Sequence, residues 1–168
     1  MRRRLLLLGA LAAPALALLP VRGRAEPPAL LPPDQRADLV LVEKAARRLT
    51  LLRGGEPLAT YRVALGFAPE GHKTEEGDGR TPEGRYTLDW KNAASRFHLS
   101  LHVDYPNAAD RAQAKARGVS PGGEIFVHGG SWRGSSRDWT LGCVAVTDAE
   151  VEAIWARVAP GTPIEIRP

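Results

Sequence analysis

Cysteine is nearly absent from this 168-residue chain: it occurs once, at position 143. A single cysteine excludes a disulfide framework and any CxxC-type zinc or redox site. Aromatic residues make up only 6% of the chain, and excess charge of one sign is confined to its start. Residues 1–25 carry five arginines (2, 3, 4, 22 and 24) and no acid. The remaining 143 residues hold 18 basic and 19 acidic side chains, so the formal +4 belongs to the first segment. A near-neutral domain lacks the electrostatic footprint of a phosphate-backbone binder, which argues against nucleic acid as a partner. No uninterrupted apolar run reaches the roughly 18 residues that a membrane span wants. The longest candidate, Leu5 to Leu19, is broken by Gly9 and Pro14.

What is present begins with an address. Met1-Arg2-Arg3-Arg4 precedes the Leu/Ala stretch, and Gly23-Arg24-Ala25 offers small residues around a cut after Ala25. This is the tripartite shape of a secretory signal, so residues 1–25 are expected to be removed and the rest to be periplasmic. The arginine pair permits a twin-arginine route as well as the general one. Residues 26–37 hold four prolines and read as a tether into a single domain over 38–168.

That domain reads as mostly β, a β-rich α+β fold with short helices. Leu39–Val42, Leu49–Leu52 and Thr60–Leu65 form an antiparallel meander, with Gly54-Gly55-Glu56-Pro57 as one of its turns. Residues 68–84 are glycine-rich without apolar periodicity and read as a long exposed loop, with a solvated acidic tip at Glu75–Asp78. A strand follows at Arg85–Trp90. Phe97, Leu99, Leu101, Val103 and Tyr105 alternate with polar residues, which predicts a strand with one buried face. Asn107–Arg117 ends at Gly118 and reads as a capped helix. Glu124–His128 is a further strand. Thr147-x-x-Glu150 is a capping box opening a helix with Val151, Ile154, Trp155 and Val158 on one stripe. Pro163–Ile166 closes the chain as a strand.

Cys143 demands an explanation. In an oxidising compartment an unpaired thiol is either a buried small hydrophobe or a reactive group. Gly142-Cys143 lies between a polar turn, Arg137–Thr140, and an apolar run, Val144–Val146, which places the thiol at the lip of a strand. Upstream, Ile125–Val127 delivers His128 into Gly129-Gly130. A free thiol is only a few per cent ionised at neutral pH, so a nucleophilic cysteine needs a base beside it. A strand-end histidine and a strand-end cysteine can meet at one sheet edge. Glycine at 142 lets the backbone approach a substrate and aim amides at a developing oxyanion. An enzyme of this kind would show an acidified, alkylation-sensitive thiol.

His128-Gly129 followed by Thr140-Leu141-Gly142-Cys143 resembles the HG…[S/T]xGC signature of the YkuD-type L,D-transpeptidases. Arg80-Thr81-Pro82-Glu83-Gly84 is similar to that family's TPxG turn. The stretches 97–107 and 138–146 look closest to its YafK-like murein branch. The resemblance implies an L,D-transpeptidase-like β-sandwich acting on peptidoglycan stem peptides without cofactor or metal. Cys143 would attack the carbonyl after the L-centre of meso-diaminopimelate and release D-Ala. His128 would take the thiol proton, and the Gly129 carbonyl would hold its tautomer. The Gly142 and Cys143 amides would form the oxyanion hole, and Thr140 stands at the Ser/Thr position. An amine or water would resolve the thioester, which leaves transfer and hydrolysis of murein or lipoprotein–murein linkages both open. An inactive peptidoglycan-binding module is the alternative outside enzymology. The chain departs from the family's main branch at Ala145, where that branch has Arg, at Leu141, and in its shorter His-to-Cys loop.

Other patterns weigh less. Gly118-Val119-Ser120-Pro121-Gly122 satisfies G-x-S-x-G, but a helix precedes it and a strand follows, the inverse of a nucleophile elbow. His98 and His102 would stand about 13 Å apart on a strand, too far to share a zinc. His98 is either a polar sheet-face residue or pocket lining beside Cys143. Trp139, flanked by Asp138 and Thr140, reads as a substrate wall more than as a core plug. His72 and His102 read as solvated, and nothing in the sequence speaks to oligomeric state.

Overall fold

The computed structural model describes residues 26–130 and 137–168. The expected export signal lies outside these residues. Alternation builds the opening strands: in β1 (Leu39–Glu43) Val40 and Val42 are fully buried. β1 pairs antiparallel with β2 (Arg48–Arg53), and β2 with β3 (Glu56–Arg62). The turn is shorter than expected. Gly54 and Gly55, at φ 57° and 87°, make it alone, so β3 starts at Glu56. Pro57 is tolerated there because β3 ends the hydrogen-bonded strand order.

The later strands are β4 (Gly84–Asn92), β5 (Ser100–Val103), β6 (Ile125–His128), β7 (Val144–Ala145) and β8 (Thr162–Arg167). They complete one eight-stranded sheet in the order β3-β2-β1-β8-β4-β5-β6-β7. β5 is shorter than the alternation over 97–105 predicted, because His98 at φ 69° breaks the extended run. Leu99, Leu101, Val103 and Tyr105 are buried as expected, whereas Phe97 is 41% exposed.

After β3 the chain crosses to the far edge of the sheet. Ala64 and Ala145 exchange both backbone hydrogen bonds (2.9 and 2.8 Å), and the Phe67 amide donates to the Thr140 carbonyl at 3.0 Å. This junction links the two ends of the strand order. Residues from β1, β2, β5, β6 and β8 share a single apolar core.

Two helices complete the fold. α1 (Ala108–Arg117) starts from an Asn107–Asp110 capping box and stops at Gly118, φ 70°. α2 (Asp148–Arg157) starts from the reciprocal Thr147–Glu150 box and buries Val151, Ile154 and Trp155. The proline-rich segment is docked rather than free: the Leu31 and Ala37 amides donate to the carbonyls of Ala156 and Arg157, at 2.8 and 2.9 Å. Those are orphan acceptors at the C-terminus of α2, so the segment supplies partners the helix lacks.

The loop between Ala68 and Glu83 is exposed as expected at Glu70, Gly71, Glu76 and Gly77, but it is also anchored. Lys44, 2% exposed, donates to the Gly71 and Thr81 carbonyls at 2.6 and 3.0 Å and to Glu83 at 2.7 Å. The buried Thr81 hydroxyl accepts the Gly66 amide at 3.1 Å. Gly66 is required by close approach: a Cβ there would stand 2.0 Å from the Gly79 carbonyl oxygen. His72 is likewise engaged, with Nε2 3.1 Å from Asp110 Oδ1 and Nδ1 accepting the Glu83 amide at 3.0 Å. His102 stacks on Trp90 and pairs with Asp89 at 2.7 Å. Neither histidine is the solvated side chain that the sequence suggested.

Candidate active site

Strand register brings the signature residues together. β6 and β7 run parallel, with Val127 opposite Val144 and His128 opposite Ala145. Cys143 immediately precedes β7, the strand that pairs with His128. Both line one cavity of about 580 Å³.

His128 is 3% exposed. Its Nδ1 lies 2.6 Å from the Gly129 carbonyl, so Nδ1 carries the hydrogen and donates it, leaving the Nε2 lone pair as the basic site. Burial pushes the imidazole below the usual histidine range, only partly opposed by that hydrogen bond. The ring is stacked on Phe97, with centroids 4.4 Å apart, and meets Trp139 edge-on at 5.8 Å. Gly129 has no room for a side chain, since a Cβ would fall 2.6 Å from Asp148 Oδ1. Asp148 in turn accepts the Gly130 amide at 2.7 Å, tying the His-Gly-Gly turn to the start of α2.

The Cys143 thiol rests with its hydrogen directed at the Glu124 carbonyl, 3.5 Å away. Glu124 is at φ 55°, a left-handed backbone that few non-glycine residues adopt. Burial pushes the thiol up, the Phe126 amide pulls it down, and the Glu124 carboxylate and Lys73 ammonium act in opposite senses. The expected acidified thiol is thus corrected, because desolvation of the thiolate outweighs the groups that favour it. In both groups burial favours the uncharged form.

Thr140 and Gly142 frame the nucleophile. The Thr140 hydroxyl donates to the Cys143 carbonyl at 2.7 Å and accepts the Gly142 amide at 3.2 Å. The Gly142 amide, one of the two expected oxyanion donors, is therefore engaged by Thr140 in this structure. Gly142 sits at φ 134°, and a Cβ there would lie 2.7 Å from the Arg80 carbonyl. Arg80, just ahead of the Thr-Pro-Glu-Gly turn, thus packs against Gly142, and residues 81–84 do not line the cavity.

Asp138 positions the next stretch. It accepts from Arg47 Nη2 at 2.8 Å and from the Leu65 amide at 2.9 Å. Trp139, 37% exposed, forms part of the cavity wall. His98 does not line the cavity: its Nε2 lies 2.6 Å from Glu152 Oε1 on α2. The left-handed turn at 98 sends Phe97 to the cavity in its place. Sequence reasoning missed Phe97, Glu124 and Lys73 as cavity residues. Only the lone lysine within a glycine-rich loop offered a signal. Among the described residues no group of three or more His, Cys, Asp or Glu is arranged to hold a metal ion.

Fold and cavity together define a β-rich domain with a cysteine–histidine cleft at one sheet edge. The chain belongs to the YkuD family, described as the L,D-transpeptidase catalytic domain, whose family model matches residues 37–166. It is 26% identical over 100 residues to "Putative L,D-transpeptidase YafK" of Escherichia coli K12, across 58% of this chain and 36% of that protein. In structure it is similar to the helical cell shape determining protein Pgp2 of Campylobacter jejuni. That match has a TM-score of 0.60 and 26% identity, and covers 76% of this chain and 46% of Pgp2. Bd1075 of Bdellovibrio bacteriovorus shares the fold at TM-score 0.58 and 21% identity, over 82% of this chain and 50% of that one. The chain thus spans about a third to a half of the length of these relatives.

Proposed function

We propose that the protein is an exported cysteine acyltransferase acting on peptidoglycan stem peptides, with L,D-transpeptidation as its reaction. The observation that carries this reading is a tautomer-locked imidazole sharing one cavity with the chain's single thiol. As Cys143 Sγ attacks the carbonyl carbon on the L-centre of meso-diaminopimelate, His128 Nε2 takes the thiol proton. The Cys143 amide, on the same residue as the sulfur, is assigned to the developing oxyanion. The Phe97 face against His128 offsets part of the cost of the transient imidazolium. His128 then gives its proton to the departing nitrogen of D-alanine, leaving a thioester. An acceptor amine resolves the thioester, losing its proton to the same imidazole, and the thiol is regenerated. Catalytic roles fall to Cys143 and His128, positioning to Gly129, Gly142 and Thr140, and substrate contact to Trp139.

The arginine-led segment 1–25 supports export, and the family's association with peptidoglycan supports a periplasmic site of action. No helix among the described residues is long and apolar enough to cross a membrane.

The test is mass spectrometry of tetrapeptide muropeptides incubated with the protein lacking residues 1–25, beside its Cys143→Ala variant. Cys143-dependent loss of D-alanine with dimeric or amine-exchanged products is expected. Free tripeptide as the product would make the enzyme a hydrolase. Turnover that survives Cys143→Ala would overturn the mechanism.

A further inference from the structure

Lys73 is a buried cation in the wall of the catalytic cavity, on the loop between Ala68 and Glu83. Its side chain is 3% exposed and pairs with Asp78 at 2.9 Å. An ion pair five residues apart invites a purely structural explanation, in which the lysine staples the loop. The partners of Asp78 argue for more. Its carboxylate already accepts the amides of Thr74, Glu75 and Arg80 at 2.8, 3.2 and 3.0 Å, so the turn closes on backbone donors without the lysine. Lys73 Nζ makes two hydrogen bonds, to Asp78 and to the Glu75 carbonyl at 3.0 Å. An ammonium has three hydrogens, which leaves one donor over among the described residues.

The loop that carries this donor is held against its neighbours. The Glu76 amide donates to the Ser120 carbonyl at 2.8 Å, and the Ser120 hydroxyl donates to Glu76 Oε2 at 3.0 Å. Gly122 takes the close approach, since a Cβ there would stand 3.2 Å from Glu76 Cα. Much of the neighbouring wall consists of Gly77, Gly123, Ile125 and Leu141, which offer a ligand no charge. Glu76 and Glu124, at the exposed rim, disfavour anions in general. An anion accepted inside must therefore be one that reaches Lys73.

We propose that Lys73 binds the free α-carboxylate of the C-terminal D-amino acid of the stem peptide. The cleft would then select the end of a peptide over an internal bond. The proposal rests on the reaction proposed above, in which that D-amino acid is the leaving group. Its carboxylate lies one carbon beyond the nitrogen that departs. A cation in the wall beside the thiol holds that end while the nucleophile engages the carbonyl before it. The same positive charge favours the Cys143 thiolate.

The experiment compares tetrapeptides ending in D-alanine and in D-alaninamide. Turnover is measured with the wild-type protein, Lys73→Met and Lys73→Arg, and binding by calorimetry with Cys143→Ala, alone and combined with Lys73→Met. Thermal melts report folding, and a correctly melting Lys73→Arg keeps the test open if Lys73→Met is unstable. A charge-assisted hydrogen bond predicts a preference for the carboxylate of about tenfold or more in kcat/KM and in affinity. Lys73→Met loses that preference through the carboxylate substrate, and Lys73→Arg keeps part of it. Turnover of both peptides without preference overturns the role of Lys73 and leaves the proposed reaction standing. Selective binding of the carboxylate form without release of D-alanine does the reverse. An equal loss on both peptides in a normally melting Lys73→Met reduces the residue to a loop staple.

Discussion

The imidazole of His128 lies against the phenyl ring of Phe97, with centroids 4.4 Å apart and planes 27° from parallel. Trp139 closes the other approach edge-on at 5.8 Å, and Phe97 and Trp139 meet at the same separation. The proposed base is thus enclosed by two aromatic rings that also face the substrate cavity. Its environment is set by side chains that make no hydrogen bond to it.

Replacing Phe97 by leucine opens this enclosure. Water reaching the ring relieves the desolvation that is the main cause of the lowered His128 pKa, and this outweighs the lost attraction of the phenyl face for the imidazolium, so the pKa rises. A base must be neutral to act, so the acid limb of the kcat/KM profile moves to higher pH in Phe97→Leu. Loss of a ring stack worth about 1 kcal/mol corresponds to roughly a fivefold fall in kcat/KM at the optimum. A pH–rate profile of D-alanine release measures both, and an unmoved acid limb would show that the phenyl ring does not set the base.

Cys143 is expected to react slowly with iodoacetamide at neutral pH and faster as pH rises past the ordinary thiol range. The sign follows from burial, which favours the neutral thiol and so raises the pKa. Alkylation followed by intact-mass spectrometry checks this. A plateau already reached near pH 6 would mean a thiolate stabilised despite its burial and would contradict the upward shift of the thiol.

Thr140 holds two backbone groups of the nucleophile turn through one hydroxyl. Thr140→Ala leaves the Cys143 carbonyl without that donor at a site where Thr140 is 4% exposed. The expected cost is about 1–3 kcal/mol of stability, seen as a melting temperature lower by several degrees. Thr140→Ser keeps the hydroxyl and should recover most of the loss in both stability and turnover. If serine behaves like alanine, the threonine methyl rather than its hydrogen bonds carries the effect.

The sequence alone determined a good deal of this protein. Short apolar runs at Leu39–Val42 and Leu49–Leu52 located β1 and β2, because a strand needs such residues to bury a face. Asn107, Gly118 and the Thr147–Glu150 box marked helix ends because orphan backbone groups demand those side chains. The His-Gly and Gly-Cys pairs, in order, indicated the family and the two groups proposed to react. Tertiary structure decided the rest, since burial and long-range contact leave little local trace. The docking of Ala64 on Ala145 joins residues 81 positions apart and links the two ends of the sheet. The left-handed turn at His98 put Phe97 over the base and sent the histidine to Glu152. Whether the Gly142 amide was free depended on the rotamer of Thr140, and the direction of the thiol shift depended on how much water the fold removes around sulfur. Lys73 reads in the chain as one charge in a polar loop. Only the packing of that loop onto Ser120–Gly123 turns it into a cation in the wall beside the nucleophile.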